Sequence, residues 1–247
     1  MSKIGKRFRV EYPEKDVWSQ PSKMSRTVPK PSAGLRTYTN AAIRKAVQAA
    51  RETKKCHTRN QEISLSTIGG GGYYVYDFPT PELGASSEDR IGCKISPTKI
   101  ALKWLFNNNS TKDVFCRVLI LRSKQGRAYG NSDLMNKVFD GTGGFDGTVT
   151  GGVHDLIAPI NEEELQIVRD FNVHVGPGQN NNTAVSTVKL GSVVFKPAAQ
   201  MTFTDDGATI SVNNRYILVL MPRRGDNDES TGETIEFSYD MSMWFKD

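Results

Sequence analysis

The sequence predicts an all-β fold, a two-sheet sandwich or jelly roll of eight strands, preceded by a basic N-terminal segment. Several stretches after Arg59 alternate apolar and polar residues, which is the period of a strand with one buried face. The connections between these stretches are long and rich in Gly, Asn, Asp and Pro. No helices of about 10 to 15 residues alternate with them, so an α/β fold is disfavoured.

The clearest strand lies near the C-terminus, where apolar residues from Ile235 to Met243 alternate with Glu236, Ser238, Asp240 and Ser242. Five further strands are predicted on alternation or weaker patterns, at residues 62–68, 100–106, 167–175, 185–195 and 208–212. Two nearly continuous apolar runs, 114–121 and 216–221, are typical of strands covered on both faces. A short helix is predicted at 132–139, inside the long insertion between two of these strands.

The charge distribution predicts two parts, a basic arm over residues 1–59 and a body over residues 60–247 that holds the predicted jelly roll. The arm holds 15 Lys/Arg against 4 Asp/Glu, whereas the remainder holds 17 against 23. Four prolines and many cations before Gly34 predict a segment that is partly disordered, because it cannot bury enough apolar surface to order itself. Strong helix formers after Thr39 and Asn40, which can cap a helix, predict a helix near residues 40–55.

The cations of the arm are the candidate nucleic-acid-binding residues, because each contact with a phosphate releases counterions whatever the base sequence. A solvated, disordered tail is the alternative explanation for a charge run. Aromatic residues in the arm, among them Trp18 and Tyr38, either stack on unpaired bases or anchor the arm to the domain. The candidate cations are Lys3, Lys6, Arg7, Arg9, Lys15, Lys23, Arg26, Lys30, Arg36, Arg44, Lys45, Arg51, Lys54, Lys55 and Arg59.

The sequence contains no motif for catalysis, a cofactor or a structural metal. The glycine runs at 69–72 and 141–144 lack the Lys-Ser/Thr of a phosphate-binding loop, and the three histidines have no zinc-ligand spacing. The acidic pairs and loops at 205–206 and 226–229 are either polar turns or sites for a hard cation. Three cysteines without Cys-x-x-Cys spacing predict reduced thiols. We therefore expect no enzyme, no cofactor, no small-molecule substrate and no membrane partner.

Three segments carry a resemblance to a known family. Arg90-Ile91-Gly92-Cys93-Lys94-Ile95, with the strand that follows it, resembles the Arg-x-Gly-x-x-Ile stretch in capsid proteins of circular single-stranded DNA viruses. Residues 115–122 and 214–220 are similar to the next strand and to the penultimate strand of those proteins. The chain thus resembles the capsid proteins of small icosahedral viruses, most of all those of the circovirus and geminivirus-like group.

The resemblance implies a protein that self-assembles into a shell of about 60 copies and packages a single-stranded genome through its basic arm. It implies DNA rather than RNA as the packaged genome, and a location in the virion, with assembly in the host nucleus or cytoplasm. Two features depart from the family. The arm lacks the dense Arg blocks of circovirus capsids, and the chain lacks the Cys/His set of geminivirus coat proteins. RNA stays possible, since small plant RNA viruses share the fold and the arm.

Two other functions fit parts of the sequence. A non-viral or accessory single-stranded nucleic-acid-binding β-sandwich protein would need cations and aromatic residues together on a strand face. The acidic residues Asp170, Glu236 and Asp240 on the best strands disfavour this alternative. A carbohydrate-binding sandwich would use Trp104 or Trp244 to stack on a sugar, although a place in the core is the more frequent role of such residues.

Overall fold

The computed structural model describes residues 40–43, 46, 52–67, 72–124, 138–139, 152–163, 165–180, 183–184, 187–197, 200–204, 211, 213–226 and 233–247. The chain divides into two units, Met1–Ala50 and Arg51–Asp247. In the first unit, residues 40–43 and 46 are helical, within the helix predicted near residues 40–55. The second unit contains all of the long strands that the structure describes.

Eight strands of four or more residues are described in the second unit. They are β1 (Lys54–Ser66), β2 (Tyr74–Asp77), β3 (Lys94–Asn108), β4 (Val114–Ser123), β5 (Leu165–Val175), β6 (Thr187–Phe195), β7 (Tyr216–Arg224) and β8 (Thr234–Lys246). Two-residue strands pair at Gln179–Asn180 and Thr183–Ala184, and Met201–Thr202 extends the edge of β3. A 3₁₀ turn at Val153–Leu156 lies between β4 and β5.

The strands form two antiparallel sheets in the order β1-β8-β3-β6 and β2-β7-β4-β5. The first strand therefore pairs with the last, the second with the seventh, the third with the sixth and the fourth with the fifth. This is the pairing that results when one long antiparallel ribbon is rolled into a sandwich, and it is the jelly-roll arrangement. The predicted fold class, an all-β eight-stranded sandwich, is confirmed.

The main core lies between the two sheets. Phe237 on β8, 1% exposed, packs against Phe106 on β3 at 4.8 Å between ring centroids and against Tyr76 of the opposite sheet at 6.3 Å. The alternating apolar residues of β8 are all buried, from Ile235 to Met243. The period-two pattern therefore identified the buried face of this strand correctly.

A second apolar cluster covers the outer face of the β2-β7-β4-β5 sheet. Residues of β4 and β7, such as Leu119 and Val219, pack there against Phe139, Ala158 and Ile160 from the long insertion. Both faces of β4 and β7 are consequently buried, as their continuous apolar sequences predicted.

Two buried arginines fasten residues 152–163 to that face. Arg223 forms an ion pair with Asp155 and donates from Nε to the carbonyl of Gly152 at 3.0 Å. Arg117 forms a two-pronged pair with Asp170, at 3.0 and 2.7 Å, and donates to the carbonyls of Asp155 and Ala158 at 2.8 and 2.7 Å. Each guanidinium thus satisfies carbonyl groups that would otherwise lose water on burial.

Some predicted elements differ from the structure. Lys54 and Lys55, expected at the end of a helix, begin strand β1, because residues 54–60 pair with residues 239–245 of β8. Strand β2 was not predicted. Of the strand expected at 208–212 only Ser211 is described, where it bridges Phe203, and the helix expected at 132–139 lies outside the described residues except for its last two positions.

Candidate nucleic-acid interface

Three of the fifteen predicted nucleic-acid-binding cations lie in the described part of the chain, and all three are on β1. Lys54 is largely buried, since its Nζ pairs with Asp247 at 2.7 Å and donates to the carbonyl of Asp89 at 2.8 Å. This lysine therefore fastens the start of β1 to the C-terminus. The other twelve, from Lys3 to Arg51, lie outside the described residues, and their role stays a prediction.

Lys55 lies on the outer face of the β1-β8-β3-β6 sheet, beside an aromatic residue. It pairs in register with Trp244 of β8, which in turn pairs with Lys99 of β3. The Lys99 ammonium lies 4.5 Å from the centroid of the Trp244 ring, and the Lys55 ammonium lies 5.3 Å from it. An indole ring attracts cations to its face, so Trp244 holds two ammonium groups side by side on this surface.

A second cationic row crosses the same face. Arg59, Asp240 and Lys103 are neighbours in register on β1, β8 and β3. The Arg59 guanidinium pairs with the Asp240 carboxylate at 3.0 Å. A depression of about 220 Å³, lined by these three residues and by Ser238, opens between the strands.

The Asp240 carboxyl is the acidic group within this basic surface. Partial burial favours its neutral form, but hydrogen bonds from Arg59 and Ser242 and the charges of Arg59 and Lys55 outweigh burial and lower the pKa of Asp240. The carboxylate thus stays ionised near neutral pH and is compensated by its neighbours. Together, Lys55, Arg59, Lys99 and Lys103 exceed it by three charges.

The far edge of the face is apolar. On the edge strand β6, the outward side chains Val188, Leu190 and Val194 are 47%, 72% and 53% exposed. They pair in register with Asn107, Leu105 and Ala101 of β3, whose side chains lie on the same face. A row of exposed apolar side chains along an edge strand is a surface that favours contact with another protein chain.

Trp104, the other tryptophan considered for sugar stacking, is partly buried and packs against the core. Its ring lies 5.3 Å from Phe106 and 6.3 Å from Phe171, and a Cβ added at Gly191 would lie 2.1 Å from its Cζ2 atom. Gly191 therefore provides the space that the indole fills.

Asp226 and His174, two of the residues considered for chemistry, form local ion pairs. Asp226 pairs with Lys112 at 3.3 Å and with Arg224 at 2.6 Å, and His174 pairs with Asp113 at 2.8 Å. Asp205, Asp206, Asp228 and Glu229 lie outside the described residues. Within the described ranges, no three His, Cys, Asp or Glu side chains come together as metal ligands would.

The thiols of Cys56 and Cys116 are buried in the core. Burial raises the pKa of each thiol to about 12, because a thiolate loses its hydration there. These two cysteines are consequently packing residues rather than nucleophiles at neutral pH.

Sequence reasoning placed the candidate cations only at the N-terminus and missed Lys99, Lys103 and Trp244. The sequence did place these residues outward. Trp244 lies at one of the outward-facing positions in the alternation of β8, and the two lysines lie at outward-facing positions of β3. The sequence alone did not give the register of β1, β8 and β3, which brings these residues side by side.

Comparisons with known proteins add little to this description. No protein-family model matches the chain, and no curated protein matches it. Among solved structures, the VP1 pentamer of human polyomavirus 7 is similar at 10% sequence identity over 78% of this chain and 94% of that chain, with a TM-score of 0.23. The fold assignment rests on the strand pairing described above. No helix among the described residues has the length and hydrophobicity needed to span a bilayer.

Proposed function

We propose that this chain is a viral capsid protein that assembles with copies of itself into a closed shell and packages a single-stranded genome through its basic N-terminal segment. The observation that carries the proposal is the separation of a complete eight-stranded jelly roll from a strongly cationic segment. Residues 1–50 hold 11 Lys/Arg against 3 Asp/Glu, and every long strand among the described residues follows them. A shell subunit needs both parts, a rigid body that contacts copies of itself and a cationic segment that neutralises phosphate.

The apolar edge formed by Val188, Leu190 and Val194 supports the self-assembly part of the proposal. Water-exposed side chains of this kind are favourable to bury, at roughly 25 cal/mol per Å² of apolar surface. In the proposed shell, this edge contacts a second copy of the chain. The proposal assigns no catalytic residue and no cofactor.

The finer parts of the proposal follow the family resemblance. The shell has about 60 copies, the packaged genome is DNA in preference to RNA, and the cations of residues 1–51 face the genome inside the shell. The chain then belongs in the virion, after assembly in the host nucleus or cytoplasm.

The test compares the full-length chain with a chain that begins at Glu52. This start keeps all of β1, whereas a start at residue 61 would remove half of the strand and its pairing with β8. A second full-length variant, with the cations of residues 1–51 replaced by Gln, separates charge from length. We expect shells in all three preparations by electron microscopy, and far more nuclease-protected nucleic acid in the first than in the other two. Equal nucleic-acid content in the three would refute the role of the segment.

A single-stranded nucleic-acid-binding protein that does not form shells is the second candidate function. The observation that favours it is the outer face of the β1-β8-β3-β6 sheet, where Trp244 lies between Lys55 and Lys99. Sedimentation separates the two candidates. A chain that stays monomeric and binds oligonucleotides fits the second candidate, and a closed particle fits the first.

A further inference from the structure

We propose that the outer face of the β1-β8-β3-β6 sheet is itself a binding site for single-stranded nucleic acid, with Trp244 stacking on a base and Lys55 and Lys99 binding the flanking phosphates. The inference rests on the proposed packaging function and adds a site on the folded domain to the cationic segment. The residues come from three strands that the register places side by side.

The geometry of the site matches the two chemical parts of a nucleotide. Trp244 is partly exposed, and an ammonium group lies 4.5 Å from its ring centroid on one neighbouring strand and 5.3 Å on the other. Flexible lysine stems allow each ammonium to leave the ring and meet a phosphate oxygen. A base then takes the place of an ammonium on the indole.

Exchanging a cation for a base on the Trp244 ring is favourable, because base stacking contributes more than a cation–π contact. A cation–π contact at an exposed site corresponds to a factor of about 2 to 5 in an equilibrium constant, and this factor is lost when an ammonium leaves the ring. Stacking of a base on an aromatic side chain contributes about 5- to 150-fold. Each displaced ammonium also gains a phosphate contact, so two weak cation–π contacts are exchanged for one stacked base and two phosphate contacts.

The rest of the face is compatible with a polyanion. Asp240 is paired with Arg59 at 3.0 Å and lies opposite Lys103 in register, so its charge is compensated before the strand binds. The other carboxylate of the β8 outer row, Glu236, accepts a hydrogen bond from Asn107 at 2.7 Å, in the row that pairs with Val188 of the apolar edge. The cationic rows thus lie toward the end of the face that holds Lys55 and Trp244.

Chain connectivity favours the same ligand for both sites. Lys55 is the fifth residue after Ala50, where the first unit with its cations ends. A nucleic acid held by that segment is consequently tethered within reach of the β1 start, which raises its local concentration at the sheet face.

The experiment measures binding of the full-length chain to a labelled oligothymidylate of about 16 nucleotides and to an abasic strand of the same length. Three variants are compared with the parent: Trp244→Leu, Lys55→Gln/Lys99→Gln, and the control Lys112→Gln/Lys124→Gln. The control removes the same charge from two exposed lysines that flank β4 in the other sheet. Circular dichroism checks that each variant is folded.

We expect Trp244→Leu to weaken oligothymidylate binding by roughly 5- to 100-fold and to leave binding of the abasic strand unchanged. Lys55→Gln/Lys99→Gln should weaken the binding of both strands. It should also lower the slope of log K against log salt by about 1.4, because two phosphate contacts are lost. The control variant should change that slope less. Parent-like affinity of Trp244→Leu for oligothymidylate would overturn the inference and leave the packaging proposal standing. No binding of either strand by the parent would overturn both.

A second measurement does not depend on any variant folding. Oligonucleotides that carry bromouracil are irradiated with the parent chain, and the cross-linked peptides are identified by mass spectrometry. A cross-link at Trp244 supports the site. Cross-links confined to residues 1–51 would contradict it.

Discussion

Replacing Arg223 by Met should lower the free energy of unfolding by about 3–5 kcal/mol, the usual cost of removing one partner of a buried ion pair. The Arg223 side chain is 1% exposed and that of its partner Asp155 is 3% exposed. The guanidinium also donates to the carbonyls of Gly152, Gly72 and Pro222. Methionine fills much of the volume but leaves the Asp155 carboxylate buried without this partner, which is the source of the cost.

Urea unfolding followed by circular dichroism measures this loss. Asp155→Leu and the double variant complete a double-mutant cycle, and the double variant should recover part of the stability, because apolar residues of similar volume replace buried ion pairs well. Arg59→Met is the matched control, since the pair of Arg59 with Asp240 is exposed and should cost no more than about 1 kcal/mol. Equal losses for Arg223→Met and Arg59→Met would refute the account of how residues 152–163 are held on the sheet.

Three further predictions follow from local geometry. Gly191→Ala should destabilise the fold by about 1–3 kcal/mol, because the new Cβ meets Trp104 at 2.1 Å, whereas Gly176→Ala, with its nearest contact at 3.9 Å, should melt like the parent. Leu190→Glu should abolish shell formation in electron micrographs without lowering the melting temperature, and shells in normal yield would exclude this edge as a subunit contact. At pH 8 a thiol reagent should label Cys93 and should not label Cys56 and Cys116 until the chain is unfolded. Burial raises the pKa of both thiols to about 12 and keeps them protonated. Rapid labelling of all three cysteines would contradict the burial of these two.

The strands that the sequence predicted best are those with one buried face. In β8 and β3 the alternation of apolar and polar residues is nearly unbroken, and the structure buries the predicted positions, among them Phe237 and Ile100. Register follows from this pattern, because a slip of one residue would expose the whole apolar set.

Strand β1 was harder to predict because its first half points mostly polar side chains outward. Lys55, His57 and Arg59 are exposed, and Cys56 is the buried residue among them. Helix formers and cations in the preceding sequence made a continued helix the simpler interpretation. Only the pairing of β1 with β8 explains why this segment is extended.

The sheet-face site could not be predicted from local sequence. Lys55, Lys99 and Trp244 are distant in the chain, and only the order β1-β8-β3 makes them neighbours. The charge of the Asp240 carboxylate is likewise compensated by Arg59 only because β1 pairs with β8. In the sequence, the acidic residues of β8 disfavour phosphate binding on this face. In the folded sheet, cations of β1 and β3 lie beside them and give the face an excess of positive charge.

Electron microscopy of the purified full-length chain, combined with sedimentation and nuclease treatment, tests the central claim most directly. The proposal predicts uniform closed shells that contain nuclease-protected, single-stranded nucleic acid. A chain that sediments as a monomer at every concentration and salt tested, with no particles on the grid, would contradict it.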